Sequence, residues 1–460
     1  MGKRVAILIS DGVSLRNFVY SDFVKVGLAN DWNFTFINQS SIDFKQFNLN
    51  YVDLKERPKS KSDLLKRARK HIELQNFEKR YQDDIYKSYK FKSRTHSIKS
   101  FVKNAYVRFC EVLYSGKNVE TLRTKIIDSE RHSALYKSAT TVLKSLKPDL
   151  LFVTSQRSLK SIAPILAAQD LNISTLAFIY SWDNVPKATL VVEPDYYVVW
   201  SDYMKNELLK YYSYIEKSQI LVTGTPQFEM HKDESLVQLK NEFYKAHQLE
   251  VDREYICFSG DDITTSPHDA QYLEDVAKAV MQLNTQGYNL GIIFRRCPVD
   301  FSDRYDAVLK HYSEIIRPLA PIWNSEGTLW NTVVPQREDQ ALLLNTVKHT
   351  KLVINLGSSM VFDAVIHKTP CAYINYNPKH TLLKKDVHKV YNYVHFRSMP
   401  SKDAVLWLNS EEDISDKIKH VIDKKNNTLT HTEDWFKRIN KHPFDKASER
   451  IWDTFETIKT

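Results

Sequence analysis

The stretch from Leu352 to Asn375 constrains the fold of this chain more than any other. Leu352 to Ile354 is an apolar run that reads as a buried strand. It breaks at Gly357-Ser358-Ser359, and helical spacing takes over at Val361, Ala364 and Val365. A second apolar run follows Pro370. Strand, small-residue turn, helix and strand make one right-handed crossover of a parallel sheet. Two readings of the turn compete. Either Ser358 or Ser359 is an ordinary helix cap, or the uncrowded backbone N–H groups and the positive helix end receive a phosphate.

The rest of the chain repeats this rhythm. Arg4 to Ser10 reads as a strand, followed by the loop Asp11-Gly12-Val13-Ser14, a helix from Leu15 to about Ala29 and a strand at Asn33–Asn38. That opening belongs to a doubly wound α/β domain, and without GxGxxG it indicates no dinucleotide. Strands return at 149–154, 174–180, 196–200 and 220–223, with helices at 157–170 and 202–212. A charged stretch at 231–252 crosses to a second α/β domain. Its strands are read at 254–259, 290–294, 352–354 and 372–375, with helices near 268–284, 301–312, 338–347 and 359–367. The expected domains are 1–230, with a helical insertion at about 55–146, then 254–430. Helices at 431–460, carrying Trp435, Phe436, Ile451, Trp452 and Phe455, are expected to pack back on the first domain.

At 460 residues the chain calls for two or three domains, and 42% hydrophobic residues suffice for their cores. The four cysteines have no CxxC spacing; Cys257 and Cys371 lie in apolar runs and read as buried free thiols, which suits a reducing cytoplasm. A strand beginning at Arg4 leaves no room for a signal peptide, and no apolar run approaches the roughly 18 residues of a membrane span. The expected location is cytoplasmic, peripheral on the inner face of the plasma membrane.

In open parallel sheets, ligands bind beyond the carboxyl ends of the strands. In the first domain those ends carry Asp11, Arg16 and Asn17, then Ser181-Trp182-Asp183-Asn184, then Gly224-Thr225-Pro226-Gln227. In the second they carry Ser259-Gly260-Asp261-Asp262, Arg295-Arg296, and the Gly357 turn, with Gln336, Glu338 and Asp339 on the loop before it. Arg295 or Arg296 can neutralise a diphosphate beside the turn. Asp363 either accepts ribose or sugar hydroxyls or is an ordinary helix residue. Asp11 and Asp183 are each a candidate base for an acceptor hydroxyl or a turn residue. Trp182 is core or stacks on a sugar ring, and Arg16, Asn17, Asn184 and Gln227 complete an acceptor side.

Other chemistries lack their motifs. No GxxxxGK[ST], HExxH, paired Cys/His cluster, Asp-x-Asp or GxSxG is present. Phosphate handled by backbone and arginine is what remains.

These residues resemble a known pattern. Tandem α/β domains with a helical return resemble the GT-B fold of glycosyltransferases. Ser181-Trp-Asp-Asn184, Asp195-Tyr-Tyr-Val-Val-Trp200 and Val222-Thr-Gly-Thr-Pro-Gln-Phe228 look like a pattern in bacterial surface-polysaccharide glycosyltransferases. The Gly357-Ser-Ser359 to Pro370 unit is similar to the donor segment of those enzymes and of CDP-glycerol glycerophosphotransferases. Phe294-Arg-Arg-Cys-Pro-Val-Asp300 resembles their Arg-Pro-His-Pro element, with Arg296 and Cys297 in place of the Pro and His. The resemblance implies two Rossmann-like domains facing across a cleft, the donor on the second and the acceptor on the first. It implies metal-independent transfer of a sugar from a nucleotide sugar, with no cofactor, to a glycan or lipid-linked acceptor. The alternatives are a CDP-activated polyol-phosphate transferase and a non-catalytic GT-B-like binding protein.

The net charge of +9 is concentrated: between Lys55 and Phe109 there are 17 Lys and Arg against 6 Asp and Glu. Lys66-Arg-Ala-Arg-Lys70, Lys79-Arg80 and Lys87 to Lys103 interleave with Tyr86, Tyr89, Phe91 and Phe101. A solvated helical face and docking on an anionic membrane surface are the competing readings; nucleic acid is the weakest.

Overall fold

A computed structural model describes residues 3–90, 97–116, 119–325, 333–379, 386–424 and 427–458. Phe91, one of the interleaved aromatics, lies outside them. The chain divides into two units, Met1–Gln227 with Ile439–Thr460, and Phe228–Arg438.

The first unit is built on seven parallel strands: β1 (Arg4–Ile9), β2 (Asn33–Asn38), β3 (Tyr51–Asp53), β4 (Leu150–Val153), β5 (Ser174–Phe178), β6 (Tyr196–Val199) and β7 (Ile220–Val222). They run in the order β3-β2-β1-β4-β5-β6-β7, so the winding reverses between β1 and β4. β4 is buried along its whole length, because helices cover both faces of a parallel sheet. The second unit has β8 (Glu254–Ser259), β9 (Leu290–Arg295), β10 (Ile316–Pro318), a hairpin of β11 (Trp323–Ser325) and β12 (Val333–Pro335), then β13 (Val353–Asn355), β14 (Cys371–Ile374) and β15 (Leu406–Leu408). Its sheet order is β10-β9-β8-β13-β14-β15, with the reversal between β8 and β13. Both are Rossmann-like sheets, and the architecture is of the GT-B type.

Several local expectations are corrected. The helix expected over 15–29 is two, Gly12–Phe18 and Asp22–Ala29, because Ser21 donates to the Asn17 carbonyl at 2.6 Å and caps Phe23 N–H at 3.2 Å. β3, β10, β15 and the hairpin are three residues long each strand, too short for a periodic signal. The stretch 231–252 carries a helix at Lys240–Ala246.

The C-terminal tail is shared between the units rather than packing on the first alone. Trp435 and Phe436, on the Thr428–Ile439 helix, pack on Phe362 at 4.8 and 5.7 Å between ring centroids, inside the second unit. The Ala447–Thr457 helix instead docks Trp452 against Phe23 at 4.6 Å, with its indole N–H on the Phe23 carbonyl. Gly27 makes that approach possible: a Cβ there would lie 2.5 Å from Trp452 Cζ2.

The insertion is helical, at Ser60–Tyr81, Ile98–Leu113, Val119–Arg131 and Ala134–Leu146. Its basic run is not a solvated face throughout. Arg69 is 1% exposed, pairs with Glu73 at 3.1 Å and donates to the Leu190 carbonyl, while Arg67 bonds Asn104 at 3.0 Å.

Candidate functional site

In the first unit the strand-end residues gather around Tyr180, a residue the sequence reading did not single out. Its hydroxyl lies in the field of Asp11, Arg157, Arg16 and Asp183, and burial followed by Asp11 pushes its phenol upward. Arg157 sits over the Tyr180 ring at 5.6 Å. Asp11 caps the Gly12–Phe18 helix through Ser14 N–H at 2.9 Å, its second oxygen accepting from Ser10 at 3.0 Å. Arg16 is held by Asn17 at 3.2 Å and reaches Gln227 at 3.4 Å. Asp183 pairs with Lys187 and accepts from Asn184 at 2.7 Å. Trp182 is buried, as a core residue would be.

The basic insertion contributes to the same end of the sheet. Lys66, on the Ser60–Tyr81 helix, donates to the Arg157 carbonyl. Lys70, one turn on, shares a half-buried region with Lys187, Arg157 and Asp183. Burial first, and repulsion from Arg157 second, bring the Lys66 ammonium down to about 7. Burial and then Lys187 bring Lys70 down to about 8. Behind them, burial raises the Glu207 carboxyl to about 8, and both its oxygens lack hydrogen-bond partners. Crowding of like charges and burial thus make Lys66 and Lys70 readier than ordinary lysines to lose their protons, beside the Asp11 and Asp183 carboxylates.

The second unit has its switch point between the ends of β8 and β13, the place where open α/β sheets bind ligands. Ser259 and Gly260 end β8, and Gly260 N–H bonds the Arg295 carbonyl at 2.9 Å. Asp261 follows, its N–H on Asp269 at 2.7 Å and one carboxyl oxygen buried with no partner. Burial, then Asp269 and Asp262, push the Asp261 carboxyl far above the carboxylate range, although Leu356 N–H from the opposite strand end donates to it. Burial and the neighbouring carboxylates thus favour the protonated form of Asp261 between the two strand ends, and its position after a strand is the one clue to it in the sequence.

The remaining expected donor residues are placed as follows. Arg295 is 7% exposed and bound by Asp339 at 2.8 and 2.9 Å through one guanidinium nitrogen, while its other terminal nitrogen is buried with no partner among the described residues. Asp339 also accepts from Ile322 N–H and Trp323 Nε1, which ties the hairpin down. Arg296 lies over the Tyr305 ring at 5.0 Å, donates to the Ser302 carbonyl and to the Asp300 carbonyl at 3.4 Å, and is partly buried. Gln336 bonds the Ile322 carbonyl through its N–H at 2.9 Å, and Glu338 is exposed. Gly357 takes φ of 72°, open to glycine and costly to others. At the turn, Ser358 N–H is taken by Asn355 at 2.8 Å and Met360 N–H by Ser358 Oγ at 3.3 Å, while Ser359 makes no capping bond. Asp363 accepts from His231 Nε2 at 2.8 Å, and His231 Nδ1 meets His367 Nε2 at 2.9 Å. Burial and then His231 bring the His367 imidazole down to about 3. A wide cavity of about 590 Å³ opens beyond β14 and β15, lined by Tyr391, Phe396, Trp407, Asn375 and Asn409 among others.

No protein-family model matches the chain, and no curated protein matches it in sequence. Solved structures match it along its whole length. The UDP-GlcNAc 2-epimerase of Methanocaldococcus jannaschii is 15% identical with a TM-score of 0.54, over 99% of this chain and 100% of that one. The UDP co-structure of S. aureus MnaA is 11% identical with a TM-score of 0.54, over 99% and 96%. A glycosyltransferase of Rickettsia africae is 8% identical with a TM-score of 0.53, over 99% and 98%. At these identities the likeness establishes the fold: this chain has the two-domain GT-B-type architecture of those proteins.

Proposed function

We propose that the protein is a metal-independent glycosyltransferase that moves a sugar from a nucleotide sugar to a lipid-linked surface-glycan acceptor. The observation that carries it is the switch point of the second sheet, where Gly260-Asp261 and Gly357-Ser358 end strands adjacent in the sheet. We assign the backbone N–H groups of these turns to a nucleotide diphosphate, and an Asp261 carboxyl pushed toward its protonated form repels phosphate less than an ordinary carboxylate would. Arg296 is the less buried cation of the pair expected to meet the diphosphate. In the first unit, the crowded lysines and Arg157 suit an acceptor that carries phosphate.

In the reaction, an acceptor hydroxyl attacks the anomeric carbon, its proton passes to a carboxylate, and the bond to the nucleotide phosphate breaks. Asp11 and Asp183 are the candidate bases. Replacing each by Asn should show which one acts: the base loses about 10²- to 10⁴-fold in kcat, the other far less.

A thermal-shift panel of UDP, GDP, CDP, CMP and dTDP sugars tests the donor reading. One base should stabilise the protein, and Ser358→Ala/Ser359→Ala should weaken that stabilisation. Calorimetry showing no nucleotide binding at millimolar levels would end it. A second reading is favoured by the epimerases among the structural matches: interconversion of the bound sugar with no acceptor. Sugar analysis after incubation with donor alone separates the two. A CDP-polyol donor in the same panel tests the polyol-phosphate alternative.

A further inference from the structure

Six large apolar side chains on one insertion helix face solvent. On Ile98–Leu113, Ile98 is 85% exposed, Val112 79%, Phe101 64%, Phe109 61%, Val102 59% and Leu113 51%. Their spacing of three, four and seven places them on one stripe running the length of the helix, about 24 Å. The opposite face is the packed one. Val107 and Cys110 are buried, Asn104 bonds Arg67 and Glu111 bonds His71 at 2.6 Å, both partners lying on the Ser60–Tyr81 helix. The helix is therefore held by its inner side, with the apolar stripe outward.

The charges around the stripe indicate what covers it. Lys99 and Arg108 are exposed and Lys103 half-exposed, and Glu111, the only acidic residue of the helix, is turned inward to His71. An apolar stripe bordered by cations alone matches a surface whose interior is hydrocarbon and whose rim is anionic. No helix among the described residues is long and apolar enough to cross a membrane, so the contact is one of lying on the surface.

We propose that the Ile98–Leu113 helix docks the protein on an anionic bilayer, its stripe among acyl chains and Lys99, Lys103 and Arg108 at the headgroup phosphates. This deepens the lipid-linked acceptor reading and rests on it only for its purpose, since docking needs neither donor nor acceptor. It also relocates the membrane contact expected from the basic run, because Lys66 and Arg69 are engaged inside the first unit.

Flotation of the full chain with vesicles of phosphatidylcholine and phosphatidylglycerol, and of phosphatidylcholine alone, tests it. The protein should float with the anionic vesicles and several-fold less with the neutral ones. Phe101→Ser/Phe109→Ser should weaken partition by about 10-fold or more, and Lys99→Glu/Lys103→Glu/Arg108→Glu by about 5-fold. Both variants should melt with the wild type, since the altered side chains face solvent. Equal partition to neutral vesicles, no flotation, or unchanged flotation of the serine variant would overturn the proposal. So would a wild-type dimer in sedimentation that the serine variant dissolves, which would assign the stripe to a second copy. Nucleotide binding is read separately by thermal shift: its loss with flotation intact counts against the donor reading and leaves the docking helix standing.

Discussion

The two sheets share a winding but treat charge at their strand ends in opposite ways. In the second unit, Arg295 is paired with Asp339, Asp363 with His231, and Arg304 with Asp300, while burial and neighbouring carboxylates push the Asp261 carboxyl upward. In the first unit, Lys66, Lys70, Arg157 and Lys187 lie with Asp11 and Asp183 around Tyr180, and burial with mutual repulsion lowers the two insertion lysines to about 7 and about 8. The second arrangement binds its ions within the fold; the first gathers cations and carboxylates in one partly buried region. In the proposed function, a nucleotide donor is assigned to the one and an anionic acceptor to the other.

Breaking a pair in the second unit should have the largest effect near neutral pH. Asp339→Ala leaves the Arg295 guanidinium buried and uncompensated and should cost about 3–5 kcal/mol in chemical denaturation. A joint replacement of both by apolar residues should cost clearly less; an equal loss would mean that the pair does not govern stability.

In the first unit the corresponding test is Glu207→Gln. The folded Glu207 value is raised to about 8 from an ordinary 4.5, so its contribution is complete at low pH and is lost as pH rises through 8. The glutamine variant should match the wild type near pH 4 and exceed it by up to about 4–5 kcal/mol at pH 9. Parallel pH curves would sink this account.

Gly357→Ala probes the turn. The new Cβ would lie 2.9 Å from Phe396 Cζ in a left-handed backbone conformation, and the expected loss is about 1–2 kcal/mol. Weaker nucleotide stabilisation should accompany it.

The smallest effect should come from an anion added at the cations of the first unit. Pyrophosphate at 10 mM, an amount set by the experiment, should raise the melting temperature by about 2 °C. The gain should shrink in Lys66→Gln/Lys187→Gln. An undiminished gain would place the anion elsewhere.

How much of this was readable beforehand differs by element. The Leu352–Asn375 crossover and the long buried runs of β1, β8 and β9 are legible, because a strand buried on both faces must be apolar throughout. The three-residue strands carry no such signal, and the break at Ser21 rests on one hydroxyl serving two backbone groups. Residues at strand ends could be enumerated, but not their states. Nothing in Arg295-Arg296 tells that the first is buried on an aspartate 44 residues later while the second bonds the carbonyls of its own loop. Nor does the spacing of Ile98, Phe101 and Val102 reveal which face of their helix points outward.

By itself, then, the sequence determined the alternation of strand and helix, the division into two α/β regions and the place of the excess positive charge. Those follow from local periodicity and composition, which neighbours in space do not alter. Tertiary structure alone decided which ions are paired, which carboxyls are pushed upward, and that an apolar helix face is left to solvent. Such properties depend on burial and on groups far apart in the chain, and a carboxyl's charge or a phenylalanine's exposure has no meaning until those groups are in place.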